Sequence, residues 1–358
     1  MKIIDKYIIK KFLGTFFFSL SLIIIIVIVF DISEKIDDFL GKKAPMKAIV
    51  FDYYLNFIPY FVNLFSPLFT FIAVIFFTAQ MANRTEIIAI LGSGISFRRM
   101  LFPYFIAATV LCSLSLILNN WIIPPANKTR LEFENRYIRN AFVLGAHNFH
   151  RQIKPGEYMY FESYNNADNI GYRFSYEKID NGTLTYKLLS ERIQWDTIAH
   201  KWAIYNYMIR NIDSLKETIR TGPRLDTLFS FKPADFNMRL TAIESMNYKE
   251  LNTFIDEERL HGSENIKFYE VEKYKRIAFP FATFILTLIG VSLASRKVRG
   301  GIGAQLGLGI AISFIFIMFM QIATTFATNG NVPAIVAVWI PNLIFGILSA
   351  LLLRIVPK

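Results

Sequence analysis

The chain has 358 residues, 53% of them apolar, with a mean hydropathy of +0.36 and one cysteine. So little polar surface excludes a soluble domain of this size, and the lone Cys112 excludes a disulfide framework or a cysteine-based metal site. The net charge of +11 invites a nucleic-acid reading, which the placement of the charges excludes.

Residues 12–30 form an uncharged run close to the roughly 20 residues that cross hydrocarbon. The run is too long for the core of a cleaved signal peptide. It is followed by Asp31-Ile32-Ser33-Glu34-Lys35 instead of small cleavage residues, so it reads as a retained helix. Before it, Ile3, Ile4, Tyr7 and Ile8 recur at helical spacing among Lys2, Asp5, Lys6, Lys10 and Lys11. That pattern predicts a short interfacial helix. A second span covers 55–80, with Pro59 and Pro67 tolerated as kinks. A short helix over 84–92, stopped by Gly92-Ser93-Gly94, leads to a third span at 100–123, which Pro124-Pro125 is expected to end.

The next segment changes character. Alternating, aromatic-rich runs (158–161, 172–176, 183–189, 202–208) read as strands of a sandwich or open barrel over 126–246. Asp180-Asn181-Gly182 between two of them predicts a hairpin, because Asn-Gly accepts positive φ. Asn247-Tyr248-Lys249-Glu250 has the form of a capping box opening a helix that Gly262 stops. The helical connector 247–276 feeds span four at 277–295. No charge occurs from Gly300 to Leu353, and Asn329-Gly330-Asn331-Val332-Pro333 divides that stretch into spans at 302–327 and 334–353. The fold class is therefore a six-helix membrane protein with an inserted all-β domain.

Charge orients it. Lys2, Lys6, Lys10, Lys11, Arg84, Arg98, Arg99, Arg296, Lys297, Arg299, Arg354 and Lys358 flank the spans on one side, opposed only by Asp5 and Glu86, a net of +10. Residues 124–276 hold 23 basic and 21 acidic residues and are nearly neutral. The excess is the positive-inside signal. It puts both termini and the loop 81–99 in the cytoplasm and the β-rich insert outside.

Catalytic signatures are missing: there is no Walker A motif, no H-E-x-x-H and no G-x-S-x-G. His147 and His150 have no acidic or cysteine partners nearby and read as surface histidines. No enzyme, cofactor or metal is expected. The spans carry no charge, which argues against an ion-coupled secondary transporter. Six spans are more than a membrane-anchored binding or scaffold module needs. Asn56, Asn63, Gln80, Gln305, Gln321 and Asn342 read as cross-links between helices. Gly303 and Gly307, with Gly309 following, permit close approach of another helix, either in the chain or in a second subunit. The loop helix carries Ile87, Ile88, Ile90 and Leu91, more apolar surface than a solvated loop needs. Its Glu86 has two even readings. One is N3 of a capping box on Asn83; the other is a charge on a helix that docks into a cytoplasmic partner.

The whole chain resembles the LptF/LptG (YjgP/YjgQ) permeases of the lipopolysaccharide exporter. The resemblance rests on Asp5-Lys6-Tyr7-Ile8, Glu86 through Gly94-Ile95-Ser96, Ile123-Pro124-Pro125-Ala126-Asn127 and Lys275-Arg276-Ile277-Ala278-x-Pro280, in the order three spans, β-insert, three spans. It implies a jellyroll-like fold for the β-insert and an inner-membrane ABC-exporter permease of the LptG type, paired with a second LptF/LptG-type permease. An LptB-type ATPase dimer would dock on Arg84, Glu86, Ile87, Ile88 and Leu91, and an LptC/LptA-type bridge would receive the lipid. Lipopolysaccharide would enter between span one of one permease and span five, with its Gly303 and Gly307, of the other. Where the G-type permease has a lysine at the end of span one, this chain has Asp31. In its place the candidates for contact with the lipid headgroup are Lys35, Lys42 or Lys43.

Overall fold

A computed structural model describes residues 2–138, 148–165, 168–213, 216–233, 240–263, 265–296, 301–330 and 332–355. His147, Lys297, Arg299, Asn331 and Lys358, named above, lie outside the described residues. Among the described residues, six helices are long and apolar enough to cross a membrane. They are α1 (Ile3–Gly41), α2 (Met46–Asn83), α4 (Phe97–Tyr137), α6 (Ile266–Ala294), α7 (Gly301–Asn329) and α8 (Ala334–Ile355). Two shorter helices complete the set: α3 (Glu86–Gly92) follows α2, and α5 (Tyr248–Leu260) precedes α6.

Two expectations about the helices are corrected. The amphipathic residues before span one do not form a separate helix. Nothing between Lys11 and Phe12 breaks the chain, and α1 runs unbroken for 39 residues, about 58 Å at 1.5 Å per residue. Nor does Pro124-Pro125 end the helix that holds the third span. A π-helical turn over Leu118–Ile122 precedes it, so the prolines fall in the first turn of the following α-segment, Ile123–Tyr137. The shifted register of that turn accommodates the two rings within a continuous helix. α4 therefore continues to Tyr137.

Packing divides the chain into two units. One comprises Met1–Tyr137, Ile243–Leu251 and Lys267–Lys358; the other comprises Ile138–Ala242 and Asn252–Ile266. Within the first, Ile8, Phe12, Phe16, Leu20 and Ile24 form the buried stripe of α1, against Val74, Phe77 and Met81 of α2 and Met100, Tyr104 and Leu111 of α4. Phe71 and Ile75 of α2 meet Leu286 of α6 and Phe316 of α7 in a second cluster. Polar side chains cross-link the spans. Asn63 donates to Asn119 at 2.8 Å and accepts from Ser115 at 2.6 Å, and Asn342 donates to the Ala278 carbonyl at 2.8 Å.

The second unit holds seven strands among the described residues: β1 (Phe149–Lys154), β2 (Glu157–Phe161), β3 (Ser163–Asn165), β4 (Ile170–Asp180), β5 (Thr183–Asp196), β6 (Lys201–Asp213) and β7 (Lys216–Thr227). All pairings are antiparallel, in the order β1-β2-β4-β5-β6-β7 with β3 beside β4, so the sheet is a meander in chain order. The expected hairpin joins β4 to β5, with Asn181 at φ 48° and Gly182 at φ 79°. Phe161, Phe174, Ile193, Trp202 and Ile204 form the core, and the Trp202 indole donates to the Phe231 carbonyl at 3.0 Å. The chain is thus a helical membrane protein with an inserted all-β domain.

Candidate functional site

The loop after α2 does not form the expected cap. α2 stays helical through Asn83, which therefore cannot act as N-cap for the next helix. Thr85 takes that place in the left-handed region, φ 61°, and Glu86 becomes the first residue of α3. Instead of closing a capping box, Glu86 accepts a 3.0 Å hydrogen bond from the Tyr7 hydroxyl on α1. Arg84 lies before α3, in the turn that ends α2. Ile87 is buried in the α1–α2–α4 cluster, and Ile90 and Leu91 pack against it. Ile88 and Arg84 are exposed. Most of the apolar face expected for docking is therefore spent on the chain's own core.

A second polar tie lies beside the first. Asp5 is 2% exposed and accepts from both Nη atoms of Arg99, at 2.8 and 2.7 Å. It also accepts from the Lys2 N–H at 2.8 Å. Ser96 caps the start of α4 by accepting from the Arg99 N–H. The first two turns of α1 are therefore bonded to both α3 and α4. A sequence signal existed: Asp5 and Glu86 are the two acids in otherwise basic segments, and both are engaged.

Farther along α1, Asp31 and Lys35 face the start of α2. The Lys35 ammonium pairs with Asp31 at 2.5 Å and bonds the Tyr53 hydroxyl. Tyr54 donates to the other Asp31 oxygen at 3.0 Å. The Tyr53 ring packs on Phe39, Phe57 and Phe133. Lys35 is held in this cluster, and Lys42 and Lys43, just beyond α1, are exposed.

A polar cavity of about 80 Å³ lies between α2, α4 and α6, lined by Asn63, Asn119, Asn127, Glu244, Glu272 and Arg276 among others. Burial, reinforced by the neighbouring Glu272 charge, raises the Glu244 carboxyl above its ordinary range.

The glycines of α7 divide by face. A Cβ at Gly309 would collide with the Ile75 side chain of α2, whereas Gly303 and Gly307 look onto open space. Close approach within the chain rests on Gly309. The reason is helical phase: Gly303 and Gly307 share a face that α7 does not turn toward α2.

Among the described residues, six membrane-length helices, split three and three by an all-β insertion, define the chain as a multi-pass membrane protein. The family profile described as "Lipopolysaccharide export system permease LptF/LptG" matches residues 6–355, and the chain belongs to that family. It is 20% identical over 354 residues to the lipopolysaccharide export system permease protein LptG of Haemophilus influenzae, covering 96% of this chain and 95% of the relative. It is 17% identical over 311 residues to the protein of the same name in Escherichia coli K12, covering 84% of each. Fold and family together make it a multi-pass inner-membrane component of lipopolysaccharide transport.

Proposed function

We propose that the chain is an LptG-type permease subunit of an ABC exporter, extracting lipopolysaccharide from the inner membrane and passing it to a periplasmic bridge. The observation that carries this reading is α3. A short helix joins two spans, seats Ile87, Ile90 and Leu91 in the core and leaves Arg84, Ile88 and the Glu86 carboxylate at its start. It is small enough to fill a groove on an LptB-type ATPase dimer. Hydrolysis then belongs to that partner, and this subunit contributes the moving helices. The positive-inside charge supports cytoplasmic termini and a periplasmic β-domain, which would meet the LptC/LptA-type bridge. The open face at Gly303 and Gly307 supports a second LptF/LptG-type permease seated along α7. The LptG relatives support the G-type assignment.

The test is co-purification of the ATPase with the parent and with Glu86→Gln from membranes of equal permease content. Gln keeps an oxygen for the Tyr7 hydroxyl and removes the charge. Loss of the ATPase with the Gln variant is expected. Equal recovery would sink the charge-docking reading.

A further inference from the structure

We propose that the first two turns of α1 belong to the coupling device. Tyr7 is a positioning residue for Glu86, and the Asp5–Arg99 pair fixes α1 to the start of α4, so that α1 moves with α3. The proposal rests on the reading of α3 as the ATPase-docking helix and extends it to a helix that would not touch the ATPase.

Three independent contacts converge there. The Tyr7 hydroxyl donates to Glu86 at 3.0 Å. The Arg99 guanidinium holds Asp5 through two parallel bonds at 2.8 and 2.7 Å, the fork geometry that fixes direction as well as distance. Ile8 and Phe12 of α1 share one buried cluster with Ile87 of α3 and Phe97 and Met100 of α4. A push on α3 thus meets α1 through packed side chains and two directional bonds. Because α1 has no break from Ile3 to Gly41, the displacement is carried along the whole helix instead of being absorbed at a hinge. Asp5 also has little freedom of its own: it is buried, and its second acceptor role ties down the Lys2 N–H.

Glu86 is a residue whose orientation matters if it docks. An acid at the first position of a seven-residue helix samples several rotamers, and the Tyr7 bond selects one. Tyr7 itself is partly exposed, so its hydroxyl can be removed without opening the core.

The test uses full-length protein in nanodiscs, with spin labels at Lys10→Cys on α1 and Ser93→Cys after α3, in a Cys112→Ser background. The parent should give one narrow distance distribution. Tyr7→Phe and Arg99→Gln should broaden it, and Arg99→Lys should restore part of the narrowness by keeping the charge. In the reconstituted exporter, Tyr7→Phe should retain the ATPase but lower lipid moved per ATP by about tenfold, the scale of one lost hydrogen bond to a charge. A purely structural role for Tyr7 would lower abundance and leave that ratio unchanged. A distribution in Tyr7→Phe and Arg99→Gln as narrow as the parent's overturns the proposal, as does an unchanged ratio. The distance measurement needs no ATPase. It therefore decides the clamp even where co-purification has ruled out docking.

Discussion

Arg276, 4% exposed, donates through one Nη to the Ile243 carbonyl at 2.8 Å. Its other Nη reaches the Met246 carbonyl at 2.7 Å, and Glu272 lies one turn back along α6 at 3.6 Å from Nε. A cation near the start of a span thereby holds the turn at Ile243–Met246 that precedes α5. Arg276→Met removes two charge-assisted bonds and leaves both carbonyls facing an apolar side chain. The expected cost is about 3 kcal/mol, read as a lower thermal midpoint of the detergent-solubilised protein. Arg276→Lys, which keeps the charge without the fork, should lose about half as much. An unchanged midpoint in the Met variant would show that water replaces the guanidinium at no cost.

Gly309 and Gly307 sit two residues apart on α7 and should respond differently to the same substitution. Gly309→Leu drives a side chain into Ile75 and Phe71, an overpacking cost of about 1–3 kcal/mol. Gly307→Leu meets open space and should change the stability of the isolated chain by less than about 0.5 kcal/mol. If a second permease packs along this face, Gly307→Leu should reduce its recovery in affinity purification. The pair of measurements separates folding from assembly.

In the β-domain, Tyr176 donates to Glu157 at 2.7 Å, and Lys178 pairs with the same carboxylate at 3.1 Å. The Tyr176 hydroxyl is the larger cause, ahead of Lys178 and against burial, and it holds the Glu157 carboxyl below its ordinary range. The folded state therefore binds this proton less readily than the unfolded chain. Its stabilisation is fully present above the ordinary carboxylate range and is lost as pH falls through the depressed value. Glu157→Gln should remove about 1 kcal/mol at neutral pH and flatten the acid limb of the melting curve. A parallel acid limb in the variant would assign the pH dependence to other carboxylates.

Local chemistry was legible in the sequence; long-range pairing was not. Hydropathy, with one turn signal at 329–333 to divide the last stretch, finds six spans, and Asn181-Gly182 marks its hairpin because few other dipeptides accept two positive φ angles. The Asn247–Glu250 box forms as read, with the Asn247 side chain accepting from the Lys249 and Glu250 N–H groups and the Glu250 carboxylate accepting from the Asn247 N–H. The same pattern misleads at Asn83, because α2 does not stop in time for Asn83 to leave the helix. Pro124 misleads for a related reason: a π turn shifts the hydrogen-bond register just before it. The ties that build the candidate site join Tyr7 to Glu86 and Asp5 to Arg99, across most of the first hundred residues. No local periodicity encodes such partners. The excess of basic neighbours around the two acids was the available clue.

A lipid phosphate is expected to be met at Lys42 and Lys43, not at Lys35. Lys35, Lys42 and Lys43 follow one another near the end of α1, yet their surroundings differ. Lys35 is neutralised by Asp31 and bonded to Tyr53, and Tyr54 closes the other side of the carboxylate. Pulling Lys35 out to a phosphate would strand Asp31 beside two hydroxyls, at a cost of about 1–3 kcal/mol before any contact is made. Lys42 and Lys43 are exposed, and a phosphate could reach them without breaking that cluster. Lys35→Gln is therefore expected to lower the melting temperature and leave lipid contact per folded molecule unchanged. The double substitution Lys42→Gln and Lys43→Gln should reduce lipopolysaccharide capture per folded molecule by a photo-crosslinker placed at Leu40. Both variants are read at equal membrane abundance, with melting followed in detergent and capture in native membranes. If Lys35→Gln abolishes capture at parental stability while the double variant captures normally, the Asp31–Lys35 pair opens to the lipid and the assignment to Lys42 and Lys43 is wrong.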